Sequence, residues 1–183
     1  VVILPTMTIS QAPSDTWRPL TTEEQEGRQL FIANGCTYCH SQYVRPQDYN
    51  NPGGVRISQP GDYRGQEPHL LGSERTGPDL TNEGGKYPDE WHRAHFRKPQ
   101  NVAAGSLMPS FAYLEKDRIY EWDEKTGKER VNDSTGKRVP LMVNDPKDGL
   151  RQATKLDALT AYVQSMGTRR IQVRARTEPE VPD

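Results

Sequence analysis

The stretch Cys36-Thr37-Tyr38-Cys39-His40 decides how this chain is read. It spells C-x-x-C-H, the spacing that attaches a c-type haem. Two thiols three positions apart share one turn, where each can add to a porphyrin vinyl group and form a thioether. The next residue brings an imidazole to the same porphyrin face, in place to bind the iron as proximal ligand. Other uses of C-x-x-C fit less well. Zinc needs about four ligands, and the chain has 2 cysteines in all. A thioredoxin-like dithiol would want a βαβ surround, which the neighbouring residues do not spell.

Composition points the same way. The chain has 183 residues, a hydrophobic fraction of 32%, 15 glycines and 15 prolines, and a mean hydropathy of −0.92. So polar and loop-rich a sequence buries little apolar side chain to offset its ordering entropy. A covalently held porphyrin would supply an apolar slab to wrap. The net charge of −1 gives no case for a nucleic-acid partner. Because c-type haem is attached outside the cytoplasm, the expected location in a bacterium is the periplasmic side of the inner membrane. The opening Val1-Val2-Ile3-Leu4 is far short of the roughly 20 apolar residues that cross a bilayer. It reads either as the last turn of a spanning helix or as a trimmed soluble N-terminus.

Outward from the motif, residues 1–20 read as an extended lead-in. Thr21 or Thr22 offers an N-cap, with Glu24 or Gln25 three positions on, and the helix runs to about Asn34, where Gly35 stops it. Gly27 costs that helix about 1 kcal/mol relative to alanine, which predicts close approach of a second helix. The partner is residues 153–166, whose Leu156, Leu159, Tyr162, Val163 and Met166 fall on one apolar face. Gly167 ends it, and Phe31 and Tyr162 lie near the crossing. Residues 43–73 are crowded with proline and glycine and read as loop wrapped around a site. Residues 88–96 read as a short helix, with His92 and His95 on its surface beside charged neighbours. Residues 114–150 are polar, with mixed charges. Near-repeats at 124–128 and 133–137 place turns between strand-prone 119–122 and 138–139, which predicts a β-hairpin insertion. Residues 168–183 form a C-terminal tail, Arg-rich and then acidic.

The sixth iron position has several claimants: Met7, Met108, Met142, Met166, His69, His92 and His95. Met108 stands apart because Gly105-Ser106-Leu107-Met108-Pro109 is a loop outside any helical face, and the proline after it fixes the backbone. Met166 belongs to an apolar helical stripe and reads as core. In Arg75-Thr76-Gly77-Pro78-Asp79-Leu80, the Gly-Pro pair can set a rigid carbonyl near the proximal histidine, where it accepts the Nδ1 hydrogen. Arg75 or Arg45 could pair with haem propionates; an ordinary surface charge is the alternative for each.

Together these residues resemble a known family. Residues 35–46, GCTYCHSQYVRP, look like the haem motif of the mono-haem cytochrome c subunit of cbb-type (C-type) haem-copper oxidases. Residues 72–111, GSERTGPDLTNEGGKYPDEWHRAHFRKPQNVAAGSLMPSF, are similar to that family's second block, which ends in its Met-Pro ligand motif. The resemblance covers about residues 21–112. It implies that Cys36 and Cys39 bind one haem c covalently, that His40 and Met108 are its axial ligands, and that Pro78 supplies the carbonyl behind His40. It also implies an N-terminal membrane helix of which Val1 to Leu4 would be the end.

The expected fold is mainly α: a class I-like cytochrome c domain over 21–167, with long haem-wrapping loops and a small β-hairpin excursion at 114–150. The expected function is an electron-relay subunit of a membrane respiratory oxidase, not itself the catalytic site. Its partners would be a membrane-embedded haem-copper catalytic subunit and other cytochrome c subunits. A cytochrome c subunit of a nitric oxide reductase, or a soluble c-type electron carrier, is the runner-up.

Overall fold

The computed structural model describes residues 12–14, 17–45, 48, 57–72, 74–123, 125–126, 128–145 and 148–167. Val1 to Leu4, Met7, most of the lead-in and the tail at 168–183 lie outside the described residues. The chain divides into two compact units, one joining Leu20–Asn34 with Tyr87–Ser165 and the other centred on Gly35–Lys86.

The first unit holds the three α-helices found among the described residues. Helix α1, Thr22–Ala33, starts as its sequence dictates: the Thr21 hydroxyl accepts from the Glu24 N–H at 3.3 Å, and the Glu24 carboxylate accepts from the Thr21 N–H at 2.9 Å. This reciprocal pair satisfies two amides left open at the helix start. Asn34 closes the helix. Helix α3, Lys155–Ser165, crosses α1 at Gly27. A Cβ at Gly27 would run into the Ala158 carbonyl and come within 2.7 Å of Tyr162 Cβ. Close approach therefore explains a glycine that the helix alone would reject. Phe31 meets Tyr162 edge to face, with centroids 5.5 Å apart. Leu30, Phe31, Leu156, Ala158, Leu159, Tyr162 and Val163 are all buried.

Helix α2, Asp89–Arg97, begins after Pro88 and carries Asp89 and Glu90 in its first turn and Arg97 in its last, matching the helix dipole. Here the structure corrects one expectation. His92 is not a surface residue; it is 2% exposed. Its ring stacks on Phe96, one turn on, and meets Trp91 edge to face. Charged neighbours suggested a solvated helix, but they sit on the flanks while the imidazole packs inward as an aromatic ring.

The insertion is more elaborate than one hairpin. Strand β1, Trp122–Asp123, pairs antiparallel with β2, Lys128–Glu129. Strand β3, Met142–Asp145, pairs antiparallel with β4, Gly149–Gln152. Single bridges at Tyr120–Pro140 and Val131–Arg138 join the predicted strand flanks, and Arg118–Thr154 ties the base. The anchor is ionic. Arg151 bonds Asp145 at 3.0 Å and Asp157 at 2.7 Å, while Arg93 of α2 reaches the same Asp157 at 3.0 Å.

The second unit is mostly loop, as its glycines and prolines predict. Its regular pieces among the described residues are the 3₁₀ turns Cys36–Tyr38 and Pro60–Tyr63. Among the described residues no helix is long and apolar enough to cross a membrane.

Candidate haem site

Gly35 opens the C-x-x-C-H turn in the left-handed conformation, φ 69°, a shape that costs a side-chain-bearing residue energy. The Cys39 and His40 amides then both donate to the Cys36 carbonyl, at 3.2 and 3.0 Å. This tight turn brings both thiols and the imidazole into one short segment. The cysteines are not joined to each other. Burial pushes the Cys36 thiol up to about 11, with neighbouring Cys39 adding to the effect. A thiol this reluctant to ionise is the reverse of a reactive redox dithiol, which depends on a lowered pKa.

His40 Nδ1 lies 2.8 Å from the Pro78 carbonyl oxygen. A carbonyl can only accept, so the proton sits on Nδ1 and the lone pair is on Nε2. Gly77 packs against the same ring, where a Cβ would come within 2.9 Å of Nε2. The sequence reading placed a Gly-Pro carbonyl here, and the structure puts that of Pro78 at hydrogen-bonding distance.

Arg45 and Arg75 are also in this unit, and both engage Asp48. Arg45 Nε and Arg75 Nη2 approach the same carboxylate oxygen at 3.0 and 2.8 Å. Hydrogen bonds from Arg45, then from Arg75, hold the Asp48 carboxyl well below the usual carboxylate range. Arg75 also donates to the Tyr43 carbonyl at 2.7 Å. Asp48 was absent from the sequence reading because nothing in its spacing announces a partner 27 residues away. Tyr63 was missed as well. Its hydroxyl donates to the Gln42 carbonyl, and burial pushes its pKa up to about 12.

Met108 belongs to the other unit, in a loop pinned to the end of α2. Gln100 Nε2 donates to the Ser106 carbonyl at 2.8 Å, and the Met108 N–H donates to Ser106 Oγ at 3.2 Å. Beyond it, Ser110 Oγ donates to the Arg97 carbonyl at 2.6 Å, and the Phe111 N–H donates to the Phe96 carbonyl at 2.8 Å. Neighbouring Leu107 is 86% exposed, and Tyr38 inside the cysteine motif is 78% exposed. Among the other claimants, Met166 is buried and Met142 is exposed on β3. His69 is exposed beside Tyr63.

Within its own unit the cysteine turn fits a haem: it carries a thiol pair and an imidazole whose Nδ1 is bonded to the Pro78 carbonyl. No cluster of three or more His, Cys, Asp or Glu that could hold a metal occurs among the described residues.

The family model for the mono-haem subunit of cytochrome c oxidase (FixO) matches residues 1–138, and the chain belongs to that family. It is thus an electron-transfer subunit with one haem in a cytochrome c oxidase complex. The match continues past residue 112 into the β insertion. No curated protein matches the chain.

Proposed function

We propose that the chain holds its haem covalently, through thioethers at Cys36 and Cys39, and relays electrons to a membrane-embedded haem-copper catalytic subunit. The observation that carries this reading is the 2.8 Å contact between His40 Nδ1 and the Pro78 carbonyl inside a C-x-x-C-H segment. In the neutral ring that contact leaves the lone pair on Nε2, the atom that would bind iron.

The haem, when bound, supplies one-electron chemistry at iron. Each remaining role belongs to the chain. His40 serves as proximal ligand, and the Pro78 carbonyl keeps its proton on Nδ1 and raises its basicity. Met108 would supply the second iron ligand through its sulfur. A thioether opposite imidazole raises the reduction potential relative to two histidines. If both positions are held by protein, the iron would carry electrons only, and reduction of the terminal acceptor would fall to another chain. Arg45 and Arg75, both bonded to Asp48, would supply the positive charge to pair with haem propionates.

The proposed domain is a class I-like cytochrome c fold over 21–167, on the periplasmic side of a bacterial inner membrane. There it would sit beside the catalytic subunit and the other cytochrome c subunits.

Affinity purification of the tagged subunit from detergent-solubilised membranes tests the assignment. The expected result is co-purification with a large haem-copper chain and oxygen consumption by the complex. Isolation as a lone soluble monomer, or nitric oxide consumption in place of oxygen, would contradict it.

A further inference from the structure

The segment carrying His40 is zipped to the segment carrying Pro78. The Gly77 N–H donates to the Cys39 carbonyl at 2.9 Å, and the Leu80 N–H donates to the Ser41 carbonyl at 2.8 Å. The Pro78 carbonyl thus lies between two backbone bonds that join the strands of this seam. Asp79, the next residue, closes the seam with its side chain. Its Oδ2 accepts from Ser41 Oγ at 2.5 Å and from the Tyr43 N–H at 2.9 Å. Its Oδ1 accepts from the Thr81 N–H at 3.0 Å. Ser41 Oγ in turn accepts from Arg75 Nε at 2.8 Å. Ser41 and Gln42 are 1% and 2% exposed, so water cannot readily replace a bond lost here.

We propose that Asp79 is a positioning residue for the proximal histidine. Through Ser41 and Tyr43 its carboxylate fixes the seam that holds the Pro78 carbonyl against His40 Nδ1, and so sets how strongly the imidazole donates through Nε2. The inference rests on reading His40 as the haem ligand. A firm acceptor at Nδ1 raises ligand basicity, which favours ferric iron. A loosened seam weakens that push and moves the reduction potential up. The bare charge of Asp79 is a poor alternative cause, because the Arg75 guanidinium lies 3.7 Å from its Oδ2 and offsets it.

The test uses the full chain with its haem attached and its histidines isotope-labelled. Haem content of the wild type is measured first. Asp79→Asn and Ser41→Ala are then compared with Glu74→Gln, a charge control at an exposed position in the same segment. Nuclear magnetic resonance follows exchange of the His40 Nδ1 proton with water in the ferrous state, and potentiometry gives the midpoint. Both seam variants should exchange this proton severalfold faster and titrate at higher potential, Ser41→Ala included although it removes no charge. Glu74→Gln should leave the exchange rate unchanged. Wild-type exchange rates in Ser41→Ala, or potential shifts confined to the two charge-removing variants, would overturn the role of Asp79. If Asp79→Asn fails to fold, Ser41→Ala alone decides. A wild-type chain without covalent haem would remove the underlying reading and this inference with it, an outcome set apart by the first measurement.

Discussion

The α-carbon of Gly77 packs against the His40 imidazole so closely that a Cβ there would lie 2.7 Å from Nδ1. Every larger residue must push the ring off the Pro78 carbonyl or push the carbonyl away. Gly77→Ala should therefore disturb the bond from His40 Nδ1 to the Pro78 carbonyl, a loss worth about 10–100-fold in metal-site affinity or activity where such a bond has been removed elsewhere. Holo-protein yield and the reduced visible spectrum report it. A normal yield with an unchanged spectrum would mean that the ring has room the structure denies it.

The crossing of α1 and α3 gives a second prediction. Gly27→Ala should gain about 1 kcal/mol of helix propensity but force the Ala158 backbone and Tyr162 away. Overpacking costs about 1–3 kcal/mol when neighbours can relax, and a backbone carbonyl relaxes poorly. Net destabilisation is expected, read as a lower denaturant midpoint. A stabilised variant would contradict the tight crossing.

Asp157 makes the anchor of the β insertion pH-dependent. Burial alone would raise its pKa, but hydrogen bonds from Arg151 and Thr154 outweigh burial and hold it well below the usual carboxylate range. Its folded pKa is depressed, so its contribution is fully present above the unfolded value near pH 4. That contribution is lost as pH falls through the folded value. Asp157→Asn should cost about 1–3 kcal/mol at neutral pH, because Arg93 and Arg151 lose their shared carboxylate while keeping Glu90 and Asp145. It should also flatten the loss of stability in acid. Parallel acid limbs for variant and wild type would argue against the assignment.

Met108 is expected to act through its sulfur alone. Met108→Ala should abolish the near-infrared sulfur-to-iron band of the ferric protein, lower the reduction potential and let carbon monoxide bind the ferrous form rapidly. Retention of that band would pass the role to another methionine.

What the sequence made legible was local. Thr21 with Glu24, Gly35 after Asn34, and the apolar stripe from Leu156 to Val163 are rules spanning one or two helical turns, and the structure obeys them. Gly27 was readable because its cost within the helix demanded a reason. The His40 to Pro78 contact was readable from chemistry, since an iron-binding imidazole needs an acceptor behind it. The misses are long-range or ambivalent. His92 was misplaced because histidine is polar in a sequence but packs as a ring when a phenylalanine follows one turn later. The pairing of β3 with β4 goes with a left-handed Gly149 and with Arg151 reaching back to Asp145, and no periodicity encodes either. The side-chain web joining Ser41, Asp48, Arg75 and Asp79 spans loops whose relative placement appears only after folding.

The central claim is that iron porphyrin is bonded to this chain at the cysteine turn. Acid–acetone extraction of the purified full chain, followed by a reduced-minus-oxidised spectrum of the protein pellet, tests it most directly. The account predicts that haem stays with the polypeptide and gives one sharp c-type α-band. Haem released into the organic layer, with a colourless pellet, would contradict it.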